Sequence, residues 1–160
     1  MTSLSTFARA ACACLILAAA CLPGRASHAG PAAPPPPVPG TLSSFPAKDL
    51  RWIDIPGSGG IRYANVSGNL AGKGPYEAFV VFPAGKANPF HLHTQALPTV
   101  VLKGSFYAIV DGKRVDYPAG SFYRLPARLP HHSGCAEGED CLLFQYQADA
   151  FDLQPLDGEG

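Results

Sequence analysis

The sequence lacks the features that mark the commoner enzyme classes. It contains no Gly-x-Ser-x-Gly elbow, no convincing paired-carboxylate arrangement and no glycine-rich phosphate cradle, so nucleophilic hydrolysis and phosphoryl chemistry have little support in it. Long apolar runs are missing too. The one run present, AACACLILAAACL over residues 10–22, is too short to span a bilayer. Basic charge is not in excess: from Gly30 onward ten Lys and Arg face twelve Asp and Glu, which leaves no electrostatic footprint for nucleic acid. No internal repeat and no 3.6-residue apolar periodicity occur, which argues against a helical architecture. Cysteine is scarce after the first residues: Cys12, Cys14 and Cys21 lie near the N-terminus, and only Cys135 and Cys141 lie beyond.

The short apolar run follows Arg9 and is closed by Pro23-Gly24 and then Ser27-His28-Ala29. That layout predicts an export signal over residues 1–29, cleaved after Ala29 or, alternatively, after Ala26. A second reading is a lipoprotein signal, with Cys21 lipidated after Ala18-Ala19-Ala20, although Ala18 stands where leucine is usual. Both readings send the chain out of the cytoplasm, to a periplasmic, secreted or lipid-anchored location. Residues 30–42 begin GPAAPPPPVPG, a proline density that favours an extended linker and excludes a packed core. Residues 43–160 are then long enough for one compact domain. In an exported chain the pair Cys135 and Cys141, bracketing AEGED, predicts a disulfide, with thiolate metal ligation as the alternative.

Within that domain the pattern is β throughout. Residues 51–55, 62–66 and 76–82 alternate or run apolar between Gly- and Pro-rich turns, and Asp111-Gly112 between two apolar runs predicts a tight hairpin. The expected fold class is all-β, a barrel or jelly roll.

Four of the five histidines fall between residues 91 and 132. His91 and His93 are two apart, so on a strand both leave the same face, and His131-His132 closes a later turn-rich segment. Two strands aiming imidazoles at one point suggest a metal ion, because neutral imidazole is a common ligand. The plainer alternative is a set of strand-end histidines that ligate nothing.

The segment Gly85 to Gly104 resembles the first cupin motif: a Gly, His-x-His after five residues, and a closing Gly. Gly120, Pro126 and His131 resemble the second, with Arg128 at its inner Gly and Cys135 at its closing Asn. The resemblance spans about Asp49 to Asp157 and is greatest to small conserved-barrel cupins. It implies a double-stranded β-helix jelly roll with a metal in its mouth, held by His91, His93 and His131. The usual carboxylate ligand is absent: Leu97 occupies its place, and Gln95 is the nearest substitute if the strand carrying the histidines continues. Three neutral imidazoles suit zinc, iron, copper or nickel better than magnesium or calcium. Homodimerisation through a sheet is a further implication by analogy.

Around this site, Thr99 and Val101 are expected to line the cavity if position 97 faces it, with barrel core as the alternative. Tyr107 and Tyr123 would offer phenol hydroxyls or pack as aromatics. His132 is expected on the opposite face, at a rim. Gln145 and Gln147 alternate with Phe144 and Tyr146, giving the last strand one polar face, turned either to solvent or to a pocket. Three functions follow: an exported metallo-cupin acting on a small molecule, for instance as an oxygenase; a non-catalytic metal or ligand sensor; or an inert scaffold barrel.

Overall fold

Alternation of buried and exposed side chains builds the architecture. In the computed structural model, which describes residue 42 and residues 44–158, the elements are a 3-10 turn (Ala47–Asp49) and eleven strands. The strands are β1 (Ile53–Asp54), β2 (Arg62–Ser67), β3 (Tyr76–Phe82), β4 (His91–Leu92), β5 (Leu97–Lys103), β6 (Ser105–Val110), β7 (Lys113–Pro118), β8 (Phe122–Leu125), β9 (His132–Cys135), β10 (Cys141–Gln147) and β11 (Gln154–Pro155). No α-helix occurs among the described residues, and no helix there is long and apolar enough to cross a membrane. The expected signal (1–29), its cysteines including Cys21, and the proline-rich linker up to residue 41 lie outside the described residues.

All strand pairs are antiparallel. A six-stranded sheet runs β1-β2-β3-β10-β5-β8, a three-stranded sheet runs β7-β6-β9, and β11 pairs with β4. Neighbours such as β3-β10-β5 are far apart in sequence, the mark of a jelly-roll winding rather than a meander. The two larger sheets face each other across one core. From the six-stranded side come Tyr63, Val80, Phe82, Val101, Tyr123, Leu125 and Leu143; from the other come Phe106, Ala108 and Cys135. Phe82 and Phe106 meet edge to face across the layers, with centroids 5.0 Å apart, an arrangement aromatic quadrupoles favour.

The polar face of β10 is the inner one. Gln145 and Gln147 are buried, whereas Tyr146 is exposed and Phe144 half-buried, so the alternation marks the interior and not a wetted surface. The Asp111-Gly112 turn joins β6 to β7 with φ of 49° and 71°, both positive as the tightest hairpin turn requires. Strand β7, the outer edge of its sheet, is exposed along most of its length and carries Lys113, Arg114 and Asp116; edge charges of this kind oppose strand addition by another chain.

Cys135 at the end of β9 and Cys141 at the start of β10 form a disulfide, and both are buried. The bond ties the small sheet to the centre of the large one through a loop of six intervals. Closing so short a loop stabilises by about 2 kcal/mol through the unfolded state. The Cys135→Ser/Cys141→Ser protein is expected to lose about that much unfolding free energy in a denaturant titration, its midpoint falling accordingly, with an unchanged far-ultraviolet spectrum. A midpoint equal to wild type would show that the bond is energetically idle.

Candidate metal centre

The site is made by the pairing of two segments that are far apart in sequence. Ala87 bridges to Gly134 and His91 to His131. The His91 and His131 backbones exchange both hydrogen bonds, His91 N–H to His131 C=O at 3.0 Å and the reverse at 2.9 Å. Residues opposed in this way put their side chains on the same face, so the two rings approach to 4.1 Å between centroids. His93, two residues further, brings its ring to 4.9 Å from His91 and 5.4 Å from His131. All three are buried, with exposures of 0%, 4% and 1% for His91, His93 and His131, and one ring nitrogen from each lies within 4.8 Å of the others.

Hydrogen bonding fixes which nitrogen faces inward. His91 Nδ1 lies 2.7 Å from the Pro89 carbonyl, His131 Nδ1 lies 2.9 Å from the Leu129 carbonyl, and His93 Nδ1 bonds the Asp152 carbonyl. A carbonyl oxygen only accepts, so each Nδ1 carries the proton and each Nε2 keeps its lone pair. Two of these lone pairs, on His91 and His93, face each other at 3.2 Å. The third, on His131, is buried with no hydrogen-bond partner.

Protonation does not relieve this crowding. Burial, with the neighbouring imidazole His131 next in importance, pushes His91 down from 6.5 to about 3. Burial also lowers His93 and His131, partly offset by their bonds to backbone carbonyls. Three neutral rings with inward lone pairs could share one electrophile, and this is the arrangement in which metal-bound imidazoles are held by their outer nitrogens. The donor set fits a divalent transition metal.

A cavity of about 340 Å³ opens from this cluster, and His93 and His131 form part of its wall. Its surface is mainly apolar. Phe82, Phe106, Tyr123 and Phe151 supply aromatic surface, Leu97 and Leu125 aliphatic surface, and Gln145 a buried amide.

The remaining sequence candidates are distributed as follows. Tyr123 lines the cavity. Thr99 and Val101 share the inward face of β5 with Leu97, but both are fully enclosed core residues and not part of the wall. Tyr107 does not face the cavity. Its neighbour Phe106 takes the inner side of β6, and Tyr107 packs outside with the Arg114 guanidinium 3.8 Å above its ring. Gln95 is exposed and stays away from the imidazoles, because β4 ends at Leu92 and the chain bends through Thr94 and Gln95; the alternation needed to carry its amide inward is broken. Leu97 is buried in the cavity wall, and among the described residues no carboxylate or thiolate joins the three histidines. His132 turns to the other side and lies against Phe90, with centroids 5.0 Å apart.

One participant carried no sequence signal, and a second was marked only by a departure from the motif. The first is the C-terminal strap around residues 150–156. It pairs β11 with β4, supplies the carbonyl that orients His93, and places Phe151 5.3 Å from the His93 ring. The Asp152 carboxylate in turn accepts the Thr94 N–H at 2.9 Å, so the strap grips both sides of His93. The second is Arg128, which adopts φ of 61°, a left-handed conformation that disfavours a side chain. Its N–H donates to the His93 carbonyl at 2.7 Å. Arg128 stands where the second cupin motif has glycine, which identifies the backbone requirement behind that glycine.

Comparison with known proteins agrees with the geometry. The cupin domain family matches residues 78–145. No curated protein sequence matches the chain. Among solved structures, the polyketide cyclase RemF from Streptomyces resistomycificus superposes with TM-score 0.61 at 14% identity, covering 74% of this chain and 88% of that one. An RmlC-like cupin protein from Ralstonia eutropha gives TM-score 0.58 at 24% identity, with 73% of each chain covered. KdgF from Halomonas sp. gives 0.54 at 18% identity, covering 68% of this chain and 94% of that one.

The depressed imidazole pKa values dictate a pH response for the metal-free protein. Below the unfolded value of 6.5 the unfolded chain takes up protons that the buried rings refuse. Stability contributed by these groups is therefore complete above 6.5 and falls as the pH drops toward the folded value of His91, about 3. With a chelator present, the melting temperature should fall between about pH 7.5 and about pH 5, and fall less in His91→Gln. Equal falls in the two proteins would refute the burial of a neutral ring. The fold, the histidine geometry and the match of residues 78–145 to the cupin domain family together mark a cupin domain in this chain.

Proposed function

We propose that this cupin holds a divalent transition metal, zinc, iron, copper or nickel, on His91, His93 and His131, and acts with it on a small molecule bound in the adjoining cavity. The observation that carries the reading is the set of three buried Nε2 lone pairs beside an apolar pocket, two facing each other and one without any partner. A bound ion would polarise a ligand oxygen as a Lewis acid or, if redox-active, would support oxygenase chemistry.

The protein's own contribution is positioning and exclusion of water. Backbone carbonyls of Pro89, Leu129 and Asp152 hold the imidazoles in one tautomer. Phe151 and Leu97 cover the site with apolar surface, which strengthens any charge interaction inside it. Three protein ligands leave room for substrate at the metal, the pattern of catalytic rather than purely structural sites. Likeness to a polyketide cyclase, RemF, is compatible with an enzyme acting on an organic molecule of moderate size.

Leu97 supports a second reading, a non-catalytic binder or sensor. Without a carboxylate at that position the cluster has neither a fourth charged ligand nor an adjacent proton acceptor. The Cys135–Cys141 disulfide and the N-terminal sequence together support an oxidising, extracytoplasmic location for either function.

Elemental analysis of untagged protein tests the site. Wild type should carry close to one transition-metal ion per chain, and His91→Ala/His131→Ala should carry none while keeping its β-sheet spectrum. Added metal should raise the melting temperature of stripped wild type and leave the double variant unmoved. A wild type that takes up no zinc, iron, copper or nickel would overturn the proposal.

A further inference from the structure

The charges around the cavity are one-sided. No Asp or Glu lines it, and Lys86 is its one Lys or Arg. Among the described residues no carboxylate lies within ion-pair distance of that ammonium; the ion pairs present are Lys103–Glu139 and Arg114–Asp116. Three neutral imidazoles, moreover, would leave the charge of a bound divalent ion uncompensated. A cavity with these walls repels organic cations and favours anions.

The position of Lys86 gives this charge a direction. Residues 86–91 run antiparallel to residues 131–135, with Cys135 N–H donating to the Lys86 carbonyl at 2.9 Å and Asn88 N–H to the Ser133 carbonyl at 2.8 Å. Along this paired ribbon the cavity meets, in order, Lys86, then Asn88 with Ser133, then the histidines. Lys86 and His91 are five positions apart, at most about 17 Å of extended backbone. The Asn88 amide donates to the Ser133 hydroxyl at 3.0 Å, forming a polar step between the two ends. The bend Pro56–Gly60 keeps bare backbone where the ammonium rests: a Cβ on Gly59, which has φ of 74°, would lie 2.7 Å from Lys86 Nζ. Between the ends the walls are aromatic and aliphatic, suited to a ring.

We infer that the cavity is selective for aromatic carboxylates, with Lys86 pairing the carboxylate and the ring lying against Phe82, Phe106, Tyr123 and Phe151. The inference rests on the cavity of the proposed function but not on the metal, since Lys86 acts without it. Lys86 is a specificity-determining residue that touches the substrate's charged group and takes no part in bond making.

The test is calorimetric titration of the whole protein, stripped of metal and separately loaded with zinc, using 2-naphthoate and its neutral isostere 2-naphthamide as probes. Stripped wild type is expected to bind the carboxylate ~10-fold more tightly than the amide, the margin of one charge-assisted hydrogen bond. Lys86→Met, which keeps the apolar stem, should equalise the two affinities, and Lys86→Arg should restore the difference. Equal affinities in wild type, binding of neither probe, or a preference that survives in Lys86→Met would overturn the inference. Retained discrimination in a protein that cannot be loaded with zinc would sink the metal proposal alone. Zinc loading without discrimination would sink this one alone.

Discussion

Three imidazole lone pairs directed into one buried volume are the constraint on which the site depends. Each outer nitrogen is committed to a backbone carbonyl, so each inner nitrogen is an acceptor without a donor. In a low-dielectric interior such a cluster is unfavourable by itself, because buried acceptors that lose water and gain no partner are costly. Rotating a ring to escape would break its bond to the carbonyl. Burial meanwhile disfavours protonation, the other exit. A bound metal ion would resolve the conflict, and the surrounding fold has the form of a device for keeping the rings in place.

That device is distributed through the chain. Antiparallel pairing of residues 91 and 131 sets two rings side by side. The strap that carries β11 fixes the third, and the left-handed turn at Arg128 returns a donor to the His93 carbonyl. The disulfide fastens the end of β9 to β10, the strand whose inner face contributes Gln145 to the cavity. The same strands thus build the histidine cluster, the wall and the mouth, so the proposed electrostatic selection by Lys86 and the proposed coordination by the histidines sit at two ends of one ribbon.

Periodicity made the fold legible in the sequence. The His91-x-His93 spacing, the Asp111-Gly112 turn and the strands over 76–82 and 106–110 each express a two-residue repeat or a local turn requirement, and local rules suffice for them. What depends on tertiary geometry was hidden. The Asp152 carbonyl lies 59 residues from His93, and a backbone carbonyl has no residue-type signature. Gln95 follows the histidine spacing on paper, yet a bend after a two-residue strand turns it to solvent. Tyr107 and Phe106 are both aromatic, and only the register of β6 against β9 decides which one faces the core. Thr99 and Val101 point inward from the same strand as Leu97, but strand phase alone does not distinguish a cavity wall from the filled core beside it.

X-ray absorption at the edge of the metal bound to the untagged protein tests the central claim most directly. Three imidazole nitrogens at about 2.0–2.1 Å for zinc, with multiple-scattering features of the rings and no sulfur shell, are the predicted result. The imidazole count should fall to two in His93→Ala. A sulfur shell, or an oxygen-only environment indifferent to that substitution, would contradict the account.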